Sequence, residues 1–227
     1  MAILCLGGFV PSFFLRPQFF TDTLPVWVHI HGIFFTLWYL VAILQAWLLL
    51  RNKLALHREL GVIAALIVFG AFILTYIAVA YLTATGQHVT GGAKFNLILT
   101  TAFTFCVAVG LYFRKNPDVH KRLMLMATAL LTIPGLDRLL RNIFQPSFPD
   151  FTTLNAQKVV LFFGTVYIGF MIYRDVKHFG RPTFGIPLGF VCIGAGGLSG
   201  ALFVDTVIWT AMVESFGTSA VHSGTSH

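Results

Sequence analysis

The chain has 227 residues, 57% of them hydrophobic and only 10% charged, with a mean hydropathy of +0.83. Soluble domains carry about 25% charged residues, so a water-soluble globule is excluded: there is too little polar surface to cover this much apolar side chain. The formal net charge of +7 does not mark a nucleic-acid partner, because the Lys and Arg residues stand beside the ends of apolar runs and not along one soluble face.

Residues 1–20 are apolar, with a first charge at Arg16 and an interruption at Pro11. Without a basic stretch at its start, this segment reads as a short first span or a re-entrant segment and not as a cleaved signal peptide. Crossing about 30 Å of hydrocarbon at 1.5 Å per residue takes about 20 apolar residues. That length predicts spans at about 26–50, 60–84, 95–113, 120–140, 156–173 and 184–213. The expected fold is an all-α polytopic transmembrane helix bundle with six spans and a possible short N-terminal one. It forms a single domain over 1–214, followed by a polar tail at 215–227 that is expected to be disordered. The last run is too long for one straight span, and Gly194, Gly196, Gly197 and Gly200 permit a bend or a close helix crossing there.

Basic residues are retained on the cytoplasmic side. Ten lie on one side (Arg51, Lys53, Arg58, Arg114, Lys115, Lys121, Arg122, Arg174, Lys177, Arg181) and five on the other (Arg16, Lys94, Arg138, Arg141, Lys158). The first set is therefore expected inside, with His88 and the C-terminal tail outside. The segments 51–60 and 114–123 resemble each other. Each has a span exit, an Asn placed to cap the next helix, and a His followed by a basic residue near that helix's first turn. Duplicated hairpins and convergent loop chemistry account for this equally well. In the second copy Pro117 suits the first helical position and Asp118 suits the helix dipole.

Two constellations carry candidate chemistry. On the inner side, His57, His120 and His178 stand near Glu59, Asp118 and Asp175. Histidines entering successive helices at similar depth can ligate a metal or the iron of a b-type haem, and a helix N-terminus favours the neutral imidazole that ligation needs. The alternative is that they only hydrogen-bond backbone or headgroups. On the outer side, His29, His31, Asp137, Arg138 and Asp205 are candidates for a proton or ion pathway. Asp205, flanked by apolar residues, is the acid expected within the membrane, where it needs a partner such as Arg138 or Arg141, or a functional role.

His29 and His31 point about 200° apart on a helix and make no joint chelate. His31, Trp38 and Gln45, at intervals of seven, form one stripe too polar for lipid, so it is expected to face the bundle. In the fourth span Pro134 frees the carbonyl of Leu130. The stripe His120, Met124, Ala127, Leu131, Arg138 is likewise expected to face inward, with Arg138 paired to an acid.

Other chemistries find no footing. Cys5, Cys106 and Cys192 sit in apolar runs without metal-ligand spacing. Gly91-Gly92 lacks the Lys-Ser/Thr of a phosphate loop. No span carries a central Lys for a retinal Schiff base.

The set His29-Ile30-His31-Gly32 with Trp38 and Gln45, Leu56-His57-Arg58-Glu59-Leu60-Gly61, and His120-Lys121-Arg122-Leu123-Met124 with Arg138 resembles an uncharacterised family of bacterial multi-spanning membrane proteins, over residues 8–140. The resemblance implies a bacterial inner-membrane protein and supplies no catalytic residue. The histidine arrangement is also similar in style to diheme membrane cytochromes, without their deep histidines on facing helices. Three function classes follow. The first is a membrane redox protein binding haem or quinone through His31, His57 and His120. The second is a proton- or ion-linked transporter using Asp205 and Arg138. The third is an accessory subunit of a membrane complex.

Overall fold

A computed structural model describes residues 1–19, 21, 26–84, 91–144, 146–148, 153–204, 210 and 214. The described elements are helical throughout: α1 (Ala2–Phe9), a π-helical turn (Val10–Phe14), α2 (Arg16–Phe19), α3 (Val26–Leu50), α4 (Leu54–Ala84), α5 (Gly91–Tyr112), α6 (Pro117–Phe144), α7 (Thr153–Phe179) and α8 (Gly185–Val204). Helices α3 to α8 are long and apolar enough to cross a membrane. Large apolar side chains point outward along them, such as Leu66 at 67% exposed and Val191 at 65%, which only a lipid environment accommodates on this scale. The chain is a multi-pass membrane protein.

The helices begin and end where capping chemistry dictates. Asn52 takes φ +56°, and the Lys53 and Asn52 N–H groups bond back to Leu48 O at 2.8 Å and Leu49 O at 3.0 Å. Asn52 thus closes the C-terminus of α3 in a Schellman motif. The second Asn behaves differently: Asn116 accepts from Val119 N at 3.4 Å as the N-cap of α6, with Pro117 and Asp118 in the first turn. The two similar segments therefore share a sequence pattern and not a capping role. Gly180, at φ +70°, ends α7 with its N–H on Val176 O at 2.9 Å, a left-handed position that a side chain would strain.

Several helices overrun their predicted spans. Helix α4 starts at Leu54 and not near 60, and α7 continues to Phe179 and not to 173. Charged side chains end a hydropathy run at the membrane face, yet the backbone hydrogen bonding continues into the headgroup region. Helix α8 runs unbroken from Gly185 to Val204, and residues 205–209 lie outside the described set.

By contact the chain divides into two compact units. One comprises residues 1–23 with 105–193, and the other 24–104 with 194–227. In the first, α1 is too short to span and instead packs on α6. A methyl group on Gly8 would run into the Gly135 carbonyl, and one on Gly135 would come within 2.6 Å of the Cys5 backbone. The Cys5 thiol reaches Leu131 O at 3.5 Å, beside the carbonyl that Pro134 leaves without its helical donor. Here α7 also packs on α6, around Met126, Met171 and Ile186. In the second unit α3 packs along α4, and Gly200 of α8 lies close enough to α5 that an added methyl would sit 2.9 Å from Thr101 Oγ1.

Candidate site along helix α3

The stripe His31, Trp38, Gln45 runs down α3 at seven-residue intervals, each about 10.5 Å of rise. Trp38 stands at the middle of the 25-residue helix, and the other two lie five residues from its ends. Trp38 is 6% exposed, and its indole meets Phe103 edge-on with centroids 5.0 Å apart. His31 stacks at a tilt on Phe35, 4.3 Å between centroids.

Hydrogen bonding fixes one nitrogen of the imidazole. The Thr75 hydroxyl donates to Ala71 O at 2.6 Å, so toward His31 Nδ1, 2.9 Å away, it can only accept. Nδ1 therefore carries a proton. Beside Thr75, Tyr76 Oη donates to the Thr101 hydroxyl of α5 at 2.7 Å, which in turn donates to Leu97 O at 2.9 Å. Against this well-satisfied background, Trp38 Nε1 and both polar ends of Gln45 are buried with no hydrogen-bond partner among the described residues. In a membrane protein no bulk water relieves such groups, and each costs about 1–3 kcal/mol when left unpaired. The stripe offers two buried N–H donors, with the Phe103 ring against the Trp38 indole.

The other candidate residues are distributed as follows. His29 is exposed, on the turn before His31. Asp137 pairs with Arg141 at 2.8 Å. The Arg138 guanidinium lies over the Phe9 ring, 4.4 Å from its centroid, so the cation meets an aromatic face of α1. Asp205 lies outside the described residues, as does any pairing it makes with Arg138. Within the α6 stripe Ala127 and Leu131 are buried, at 0% and 5% exposed, while His120, Met124 and Arg138 are half-buried.

His120 holds Gly110 O at 2.8 Å through Nδ1. This satisfies one of the orphan carbonyls that the last turn of α5 leaves. His57 sits in the first turns of α4, and His178 is exposed in the last turn of α7. Among the described residues no three His, Cys, Asp or Glu side chains gather closely enough to hold a metal ion.

Sequence reasoning missed the partners Thr75, Tyr76 and Thr101. Their signal was the run of hydroxyls in otherwise apolar helices, but a Thr that bonds its own i−4 carbonyl, as Thr100 and Thr104 do at 2.8 Å, looks the same in sequence as one that also orients a histidine. The buried ion pair of Asp175 with Arg122 was also not foreseen. Asp175 stood in the sequence as one acid among several near the inner histidines.

Compared with protein-family models, with curated proteins and with solved structures, the chain matches none in any of the three.

Proposed function

We propose that this protein is a membrane redox protein that holds a quinone head at the α3 stripe. The observation that carries the proposal is the pair of buried, unpartnered donors, Trp38 Nε1 and the Gln45 amide. The two oxygens of a para-quinone lie about 5 Å apart, a ring's width plus two C=O bonds, and hydrogen bonds of about 2.9 Å at each end extend the span to about 11 Å. Seven helical residues separate the two donors by about 10.5 Å, and both side chains lean the same way along the helix. Phe103, edge-on to the Trp38 indole, supplies an aromatic wall at the Trp38 end. His31, held by Thr75, stands about 10.5 Å beyond Trp38 on the side away from Gln45 and takes no part in holding this head. When bound, a quinone would supply two-electron, two-proton carrier chemistry, and Trp38 and Gln45 would bind and orient its head. The setting proposed is a bacterial inner membrane with the C-terminus outside.

The test is saturable binding of a short-chain quinone to the purified protein, followed by tryptophan quenching against empty micelles. Loss of one hydrogen bond in Trp38→Phe or Gln45→Leu is expected to weaken binding about tenfold. Quenching that matches simple partition into micelles, or affinity unchanged in both variants, refutes the site.

A b-type haem is the second reading, and one observation favours it: His120 donates through Nδ1 to a backbone carbonyl, the arrangement that orients a histidine to ligate through Nε2. A reducible Soret band in the purified protein that disappears in His120→Ala supports it, and a colourless protein ends it.

A further inference from the structure

The end of the α6–α7 pair opposite Phe144 carries a cleft of about 230 Å³, lined by Lys121, Arg122 and Arg174 together with Leu125, Tyr167 and Phe170. Its charge is graded along the helices. Lys121 and Arg174 are exposed at its mouth. Leu125 lies one turn deeper than Lys121, and Tyr167 lies about 10 Å deeper than Arg174 along α7. Arg122 is already committed: it is paired with Asp175, which is 0% exposed and also accepts from Thr183 N at 3.0 Å and Thr183 Oγ1 at 2.6 Å. Asp118, which also acts on Arg122, is exposed in the first turn of α6. The cleft therefore presents, among the described residues, two cations without an acid partner at the water-facing rim and an apolar, aromatic wall running toward the hydrocarbon.

We infer that this cleft binds one anionic phospholipid, with its phosphate between Lys121 and Arg174 and an acyl chain along Leu125 and Phe170. The charge gradient selects this occupant. A free inorganic anion uses the rim but gains nothing from the apolar wall, and a zwitterionic lipid brings a second cation to a rim that already holds two. The Tyr167 ring, half-buried at the inner end, extends the wall along which the acyl chain lies. This site is separate from the α3 stripe and does not depend on it.

The experiment uses the full chain purified in a mild neutral detergent. Thermal stability is followed during titration with phosphatidylglycerol, with phosphatidylcholine, and with inorganic phosphate. Phosphatidylglycerol alone is expected to raise the melting temperature saturably. In Lys121→Gln/Arg174→Gln the half-saturating lipid concentration is expected to rise about thirtyfold, the equivalent of two cations at about 1 kcal/mol each. A control, Lys177→Gln/Arg181→Gln, removes the same charge from exposed positions on the same face outside the cleft, and is expected to leave the titration unchanged. The lipid-free melting temperature of each variant checks that the exposed substitutions leave the fold intact. Equal loss in the control would reduce the effect to general surface attraction and overturn the site. Stabilisation by phosphatidylcholine would remove the charge selection, and stabilisation by inorganic phosphate at the same concentration would make it an anion site without a lipid.

Discussion

Replacing Asp175 by Ala is expected to be the most damaging single change in the first unit. The carboxylate is 0% exposed and the Arg122 side chain only 11%, so neither charge is screened as a surface pair would be. The same carboxylate holds Thr183 through its N–H at 3.0 Å and its hydroxyl at 2.6 Å, tying the segment between α7 and α8 back onto α7. Removing one partner of a buried ion pair strands the other and costs about 3–5 kcal/mol. The two Thr183 donors lie nearer the surface, half-buried, and recover much of their bonding from water. Against a total stability on the order of 5–15 kcal/mol, Asp175→Ala is expected to consume a large part of the margin. The measurement is equilibrium unfolding of the detergent-solubilised protein by a rising fraction of SDS, followed by circular dichroism. The double change Arg122→Met/Asp175→Leu supplies the control, because an apolar pair of similar volume leaves no stranded charge and is expected to return within about 1 kcal/mol of the parent. A loss below about 1 kcal/mol for Asp175→Ala, or a double variant as unstable as the single one, would refute the reasoning.

Three further outcomes are expected. Gly135→Ala places a methyl 2.6 Å from the Cys5 backbone and is expected to lower stability by about 1–3 kcal/mol through overpacking, in the same SDS titration, whereas Gly164→Ala, which meets nothing within 4 Å, is expected to be neutral or stabilising. His120→Ala removes the donor to Gly110 O and is expected to cost about 1 kcal/mol; a loss of several kcal/mol would show that the imidazole holds more than a helix end. For topology, the native cysteines are buried and give little background, so His88→Cys is expected to react with an impermeant maleimide in intact cells and Lys115→Cys only after permeabilisation. The reverse pattern overturns the orientation read from the basic residues.

The spans were legible because lipid imposes one strong constraint, and α3 matches its predicted 26–50 run residue for residue. The inward face of α3 was legible for a related reason: the helical repeat alone puts His31, Trp38 and Gln45 on one line, and three polar side chains on a lipid face are too costly. What the chain does at helix ends was less accessible. Asn52 and Asn116 stand one position apart in the alignment of the similar segments, yet one turns left-handed to close a helix and the other opens one, because Pro117 makes only the second a good helix start. Arg138 needed a counterpart, and an acid was the natural expectation. Among the described residues the structure gives it Phe9, from an N-terminal helix whose packing depends on Gly8 and Gly135 facing each other. Long-range pairs such as Arg122 with Asp175, 53 residues apart, are invisible to any local pattern.

How this chain treats its other polar groups sharpens the case for the α3 stripe. Threonines within the spans return their hydroxyls to the i−4 carbonyl, as Thr36, Thr128 and Thr132 do at 2.8–2.9 Å, Asp175 is surrounded by donors, and Asp137 is bound by Arg141. Gln45, with both ends of its amide buried and unpartnered, departs from this pattern, as Trp38 Nε1 and single atoms of His57, Asp137 and Asp175 do. If that amide is retained for a ligand, removing it should improve the empty protein. Gln45→Leu conserves volume and deletes the unpaired groups, so it is expected to raise ligand-free stability by about 1–3 kcal/mol while weakening quinone binding. Trp38→Phe is a poorer probe of stability, because it also removes ring volume packed on Phe103. The two readouts move in opposite directions only if the polar group is a liability in the fold and an asset in the site. If Gln45→Leu instead destabilises the protein with no ligand present, the amide is a structural member of the bundle, and the stripe loses its claim to be a binding site.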